Sequence, residues 1–128
     1  VAFKGRPETD DLRGTMAFPI LKELQKKFIK SKFFIYDPVV RSKEIKKHFN
    51  AKTILDIEKS FKDSSLYIIA NNHPIFSRIP ISKFSSLMKR PAIIFDFWNN
   101  FSSHNIMFAD GIKYIGLGEV GLNLRKLK

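Results

Sequence analysis

Apolar and polar positions in the first part of the chain follow a helical period. The apolar residues of segment 16–28 recur at helical spacing, with lysine and glutamate between them: Met16, Ile20, Leu21, Leu24 and Phe28. Thr15 is suited to cap such a helix, and Pro19 is tolerated because it falls in the first turn. The pattern predicts an amphipathic helix that begins abruptly near Thr15.

The rest of the chain repeats this order of helix followed by strand. Short apolar runs predict buried strands at residues 32–36, 66–70, 92–95 and 113–115. Helical spacing predicts further helices at residues 42–49, 56–62 and 82–88. Strands buried on both faces lose the polar alternation of a half-exposed sheet. The fold class that we predict is α/β, a three-layer α/β/α sandwich with a mostly parallel, Rossmann-like sheet of about five strands.

Length and composition indicate one domain over residues 1–128. A chain of 128 residues with 44% hydrophobic residues, 13 of them Phe, can bury a core. Residues 1–3 read as the end of a strand that lacks its earlier part, so we expect a domain excised from a longer protein. We expect residues 102–111 to form an irregular loop.

The charge balance indicates an anionic partner without identifying it. Lys and Arg outnumber Asp and Glu by 23 to 12, which gives a net charge of +11 and a pI near 10.0. Nucleic acid, an anionic membrane, a nucleotide diphosphate or an acidic domain would all suit this surface. The absence of cysteine excludes disulfides, thiolate metal sites and a cysteine nucleophile from this chain. Without a long apolar run or a secretion signal, we expect a cytoplasmic location and no membrane partner.

Four segments carry motifs in a fixed order. Residues 1–13 read VAFKGRPETDDLR, and residues 34–40 read FIYDPVV. Residues 72–76 read NHPIF, and residues 89–96 read KRPAIIFD. In order and spacing they resemble the C-terminal UDP-binding domain of the UDP-glucose/GDP-mannose dehydrogenase family. The family's patterns are G-x-A-F-K followed by T-D-D-x-R, then V-x-x-Y-D-P, and the resemblance covers nearly the whole chain.

The resemblance implies a place in a larger enzyme. Family members oxidise the sugar C6 alcohol of a UDP-sugar or of GDP-mannose to a carboxylate in two NAD-dependent steps, through a thiohemiacetal on a catalytic cysteine. The products feed surface polysaccharide synthesis. The NAD-binding domain and a central region with the cysteine and the dimer contact are absent from this sequence. We therefore expect an inactive fragment that binds no cofactor itself, with NAD held elsewhere in a homodimeric full-length enzyme.

Three residues are candidates for contacts with UDP. Lys4 follows a short apolar run, and from the residues alone it is a solvated lysine. The resemblance implies instead that Lys4 and its neighbour Phe3 contact the nucleotide. Many family members have D-x-R-N at residues 96–99, where this chain has Trp98 in place of the arginine. Trp98 can stack on a base or pack against the missing domains, but it cannot neutralise phosphate.

Other polar residues are expected to support the site. Asp10, Asp11 and Arg13 precede the first helix, where acidic side chains would repel a diphosphate, so we expect them to hold the loop that presents Lys4. Residues 116–121 satisfy G-x-G-x-x-G, yet too few residues follow for a dinucleotide-binding unit, and a C-terminal turn is expected. The three histidines lie far apart in the sequence and do not form a metal motif.

Two alternatives to a dehydrogenase domain stay open. The positive charge with interleaved aromatics could serve a basic nucleic-acid-binding protein, although the lysines are dispersed and no such motif is present. The second alternative is a stand-alone nucleotide-binding module derived from the dehydrogenase. We expect UDP-sugar and the missing domains as partners, and not nucleic acid. The isolated fragment could be monomeric, or could associate through surfaces that normally contact those domains.

Overall fold

Helices alternate with short strands through the part of the chain that the computed structural model describes, residues 15–101 and 110–118. The helices are α1 (Ala17–Lys27), α2 (Ser42–His48), α3 (Ile57–Phe61), α4 (Pro74–Arg78) and α5 (Ile81–Ser85). The strands are β1 (Phe34–Ile35), β2 (Lys52–Thr53), β3 (Leu66–Ile69), β4 (Ala92–Asp96) and β5 (Ile112–Gly116). Every pairing of these strands is parallel. The fold is α/β, and the strands form one sheet of two strands and one of three.

The chain divides into two compact units, of which the first is Val1–Ser60. In it β1 pairs with β2. The core is formed by Ile35, Val40, Ile45 and Phe49. Phe18 of α1 packs edge-on against Phe49, with ring centroids 4.6 Å apart. The helix predicted from residue spacing is thus confirmed, but Phe18 and Leu21 pack against this core, whereas Met16 and Phe28 of the predicted apolar face are exposed.

Thr15, the predicted cap, lies one residue before Met16, which occupies the N-cap position of α1 without a side-chain capping bond. Thr15 Oγ1 accepts a hydrogen bond from the Ala17 N–H at 3.3 Å. A side-chain oxygen that binds a backbone N–H in the first turn satisfies a donor that has no partner within the helix. Pro19 lies in that first turn, where a missing N–H leaves no gap in the hydrogen bonding.

The second unit, Phe61–Lys128, contains the three-stranded sheet. Its strand order is β3-β4-β5, and β4 is paired on both sides. Ile94 of β4 and Ile69 of β3 are fully buried, but Ile93 and Leu66 are exposed, so the expectation of strands buried on both faces was wrong. Phe61 and Phe84 pack together beside the sheet, with ring centroids 5.5 Å apart. Part of each short apolar run that predicted β3 and β4 therefore lies in the core of this unit, namely Ile69, Ala92 and Ile94.

Some predicted elements differ from the structure in extent, and two short elements were not predicted. β1 covers two residues where five were expected. β2 was missed because Lys52 and Thr53 carry no apolar signal. α4 was not predicted from the sequence; Pro74 is its first residue, and His73, at the end of the preceding loop, caps it. The strand expected at residues 1–3 and most of the loop expected at 102–111 lie outside the described residues.

Candidate functional site

The three strands of the second sheet end at directly paired residues. Ile69 pairs with Asp96, and Asp96 pairs with Gly116, so β3, β4 and β5 all end at one height. The Phe97 N–H donates to the Ile69 carbonyl at 3.1 Å and continues the ladder by one residue. Ligands of open parallel sheets bind outside the carboxyl ends of the strands. The loops that leave these three residues therefore form the candidate site.

The loop after β3 is held by its own side chains. Asn71 and His73 are both buried. Asn71 Oδ1 accepts a hydrogen bond from the His73 N–H at 3.1 Å. His73 Nδ1 accepts from the Ile75 N–H, also at 3.1 Å, and so caps α4. Both residues fix the backbone of this loop, which is the role of local side-chain to backbone bonds.

Asp96 organises the turn after β4. Its side chain is fully buried. Oδ1 accepts from the Trp98 N–H at 2.9 Å and from Asn100 Nδ2 at 3.0 Å. Oδ2 accepts from the Asn100 N–H at 2.6 Å. One carboxylate thus closes a turn of four residues through backbone donors, which stabilises a buried carboxylate and orders the loop.

Tyr114 of β5 joins this turn from the neighbouring strand. Its hydroxyl lies 2.9 Å from Asp96 Oδ2 and 3.1 Å from the carbonyl oxygen of Phe101. A phenol has one hydrogen, so the two acceptors share it. The Tyr114 ring also meets Phe101 edge-on, with centroids 6.2 Å apart. Tyr114 therefore links the start of the turn to the residue that follows its end.

Gly116, at the end of β5, lies against the side chain of Asn99. A Cβ at position 116 would collide with Asn99 Oδ1. Asn99 adopts a left-handed backbone conformation with φ of 49°, which asparagine tolerates better than most residues. The first glycine of the G-x-G-x-x-G sequence thus leaves room for the turn after β4.

Trp98 is the exposed aromatic residue of this edge. Its side chain is 44% exposed, although its backbone N–H is bound to buried Asp96. Leu117, the residue after β5, is 50% exposed. An aromatic ring held on an ordered turn and open on one side offers a surface for stacking.

A second turn at a strand end lies in the first unit. Asp37 follows β1 and is buried, and its Oδ1 accepts from the N–H groups of Val39 at 2.9 Å and Val40 at 2.8 Å. Burial raises the pKa of the neighbouring Tyr36, and the carboxylates of Asp37 and Asp56 raise it further. The Y-D-P sequence thus forms a turn closed by its aspartate.

The structure places one of the predicted site residues, Trp98, at the carboxyl edge of the three-stranded sheet. The other predicted contacts and supporting residues lie outside the described residues: Phe3, Lys4, Asp10, Asp11 and Arg13. The sequence alone indicated no role at the site for Asp96, Tyr114 or Gly116. The position of Asp96 at the end of an apolar run was a usable signal, whereas the contacts of Tyr114 and Gly116 depend on strand pairing.

The part of the chain that the structure describes has neither a metal-binding cluster nor a membrane-spanning helix. Within residues 15–101 and 110–118, no group of three or more His, Cys, Asp or Glu side chains could hold a metal ion. In the same part of the chain, no helix is long and apolar enough to cross a membrane.

Comparison with protein-family models identifies the family. The model described as the UDP-glucose/GDP-mannose dehydrogenase family, UDP binding domain, matches residues 1–103. The chain belongs to this family. The match includes Asp96 and Trp98 but ends before β5, so Tyr114 and Gly116 lie beyond it. A comparison with curated proteins found no match.

Proposed function

We propose that this chain is the UDP-sugar-binding domain of an NAD-dependent nucleotide-sugar 6-dehydrogenase. The enzyme would convert a UDP-sugar to the UDP-uronic acid for surface polysaccharide synthesis. Membership of the dehydrogenase family's UDP-binding domain supports this assignment. The chain has no cysteine to form the thiohemiacetal, so the covalent steps belong to other parts of the enzyme.

The observation that carries the proposal is the position of Trp98. It lies at the carboxyl edge of the sheet, half-exposed, on a turn held by Asp96. Stacking of a base on an aromatic side chain contributes about 1–3 kcal/mol. We propose that Trp98 stacks on the uracil or ribose of UDP, and that Lys4 neutralises the diphosphate with Phe3 beside it. Asp10, Asp11 and Arg13 would support the loop that carries Lys4.

The remaining features of the full enzyme are part of the same proposal. NAD would bind in a preceding domain and not to this chain. The full-length enzyme would be a cytoplasmic homodimer through its central region. The fold that we propose for the domain remains a three-layer α/β/α sandwich with a Rossmann-like sheet of about five strands.

Calorimetric titration with UDP, uridine, GDP, NAD and a short DNA duplex tests the proposal. We expect UDP to bind, uridine to bind more weakly, and NAD and DNA not to bind. Trp98→Ala should weaken UDP and uridine binding alike, about tenfold or more, because stacking acts on the base. Lys4→Ala should weaken only UDP binding, because uridine carries no phosphate.

Leu117→Ala is the matched control, since Leu117 is about as exposed as Trp98 and follows the neighbouring strand. UDP affinity should be unchanged in this variant. Binding of DNA with no binding of UDP would contradict the proposal and favour the nucleic-acid alternative. Equal loss in Leu117→Ala and Trp98→Ala would remove the assigned role of Trp98.

A further inference from the structure

We infer that Tyr114 and Gly116 of β5 are positioning residues for the turn that presents Trp98. Both lie beyond the part of the chain that matches the family model, which ends at residue 103. The effect on UDP binding rests on the proposed function, whereas the effect on Trp98 itself does not. β5 therefore pairs with β4 and also helps to position Trp98.

The first part of the argument is the hydrogen bond from Tyr114. Asp96 holds the Trp98 N–H through Oδ1, and Tyr114 bonds the other oxygen of the same carboxylate. A carboxylate that is bound on both oxygens cannot rotate about its own axis without losing a partner. Asp96 Oδ2 also accepts from the Asn100 N–H, so the phenol of Tyr114 and Asn100 together hold the plane of the carboxylate that orients the Trp98 backbone.

The second part is the close approach of Gly116. Asn99 follows Trp98 directly, and its side chain occupies the space where any residue but glycine would carry a Cβ at position 116. Asn99 is held at a positive φ of 49°. A change at Gly116 would therefore displace the residue adjacent to Trp98, while leaving the hydrogen bonds of Asp96 chemically intact.

These two contacts reach the turn independently. Tyr114 acts through a hydroxyl on Asp96, and Gly116 acts through the absence of a side chain beside Asn99. Tyr114→Phe keeps the ring that meets Phe101 and removes only the hydroxyl. Gly116→Ala adds one methyl group. Both changes are small enough that their effect on the position of Trp98 can be distinguished from an effect on the packing of the sheet.

The experiment uses the fluorescence of Trp98, the one tryptophan in the chain. Acrylamide quenching and the emission maximum are measured for the wild type, Tyr114→Phe and Gly116→Ala, at a temperature where each variant is fully folded by circular dichroism. We expect both variants to shift the emission maximum and to change the quenching constant. We also expect each to weaken UDP binding about fivefold, the effect of one net hydrogen bond.

Two matched variants separate positioning from general damage to the sheet. Tyr67→Phe removes a hydroxyl from β3 in the same sheet and should leave Trp98 fluorescence unchanged. Asn99→Gly removes the side chain that Gly116 accommodates, and glycine suits a positive φ. Adding Asn99→Gly to Gly116→Ala should restore the emission maximum of Trp98 and most of the UDP affinity.

The measurements on these variants either support or overturn the inference. Unchanged Trp98 quenching and emission in both Tyr114→Phe and Gly116→Ala would overturn the inference. So would an equal change in Tyr67→Phe, or no rescue by Asn99→Gly. If the wild type binds no UDP, the proposed function fails, but the fluorescence of these variants still decides whether β5 positions Trp98.

Discussion

Phe61 and Tyr67 stack face to face, with ring centroids 3.7 Å apart and planes inclined by 10°. Phe61 is fully buried at the end of α3, and Tyr67 lies on β3. Phe84 of α5 packs against the same Phe61 ring. One phenylalanine thus joins two helices to the sheet that carries the candidate site.

Replacement of Phe61 by alanine should cost about 3–5 kcal/mol of unfolding free energy, because it leaves a cavity among Tyr67, Phe84 and the sheet. Urea denaturation followed by circular dichroism measures the loss. Phe34→Ala is the control, since the Phe34 side chain is 52% exposed and should cost far less. Similar losses in the two variants would show that Phe61 is not the centre of this core.

Asp96→Asn should destabilise the protein and loosen the turn after β4. In this variant an amide nitrogen, which is a donor, replaces one carboxylate oxygen and faces N–H and O–H groups that are donors too. At least one of the bonds from Trp98, Asn100 or Tyr114 is therefore lost. We expect a loss of about 2–3 kcal/mol in urea denaturation, since a buried donor is left unsatisfied. Asp110→Asn changes an exposed aspartate before β5 and should have little effect. A stable Asp96→Asn variant with unchanged Trp98 fluorescence would contradict the role of this carboxylate.

Trp98→Arg would place the family's usual cation on the same turn. We expect UDP to lose less affinity than uridine at low salt, and this difference to shrink near 0.5 M NaCl, because exposed charges are screened at that ionic strength. Affinity for uridine should fall, because the stacking surface is smaller and uridine has no phosphate. Calorimetry at two salt concentrations measures both ligands. If wild type and variant showed the same salt dependence, residue 98 would not face the diphosphate.

Tyr36 gives the protein a pH dependence at alkaline pH. Its pKa is raised in the folded state, first by burial and then by Asp37 and Asp56, so the folded protein holds the proton more tightly than the unfolded chain. The resulting stability is complete below the ordinary tyrosine pKa of about 10 and is lost as pH rises through that value and above it. Unfolding free energies from pH 8 to about 11.5 should therefore fall more steeply for the wild type than for Tyr36→Phe. Parallel curves would mean that Tyr36 ionises as freely in the folded protein as in the unfolded chain.

The sequence predicted the parts of the fold that depend on local pattern. The helix near Thr15 and the strands predicted at residues 66–70 and 92–95 follow from spacing and apolar runs, and the structure has them with strand ends at Ile69 and Asp96. β2 has two polar residues and exists because β1 pairs with it, so no local signal could show it. α4 was missed because a proline in a loop and a proline at the first position of a helix look alike in sequence.

The candidate site was predicted only where a motif carried it. Trp98 was singled out because it stands in the place of a family arginine, and the structure has it on an ordered turn after β4. Tyr114 contacts Asp96 across 18 positions of sequence, through a pairing of β4 with β5 that spacing does not specify. Gly116 was noticed as part of a glycine pattern, but its reason is the neighbouring Asn99 side chain.

The level ends of the three paired strands have a practical consequence for engineering. Because Ile69, Asp96 and Gly116 are direct neighbours, the segments after β3, β4 and β5 begin side by side at the end of one sheet. Under the proposed role of Trp98, base preference is tested by exchanging the segment between Asp96 and Phe101 for that of a relative, provided that the aspartate and a backbone donor two residues later are kept. Substrate preference in such chimeras would then be inherited from a stretch of four residues, and the core would need no compensating mutation.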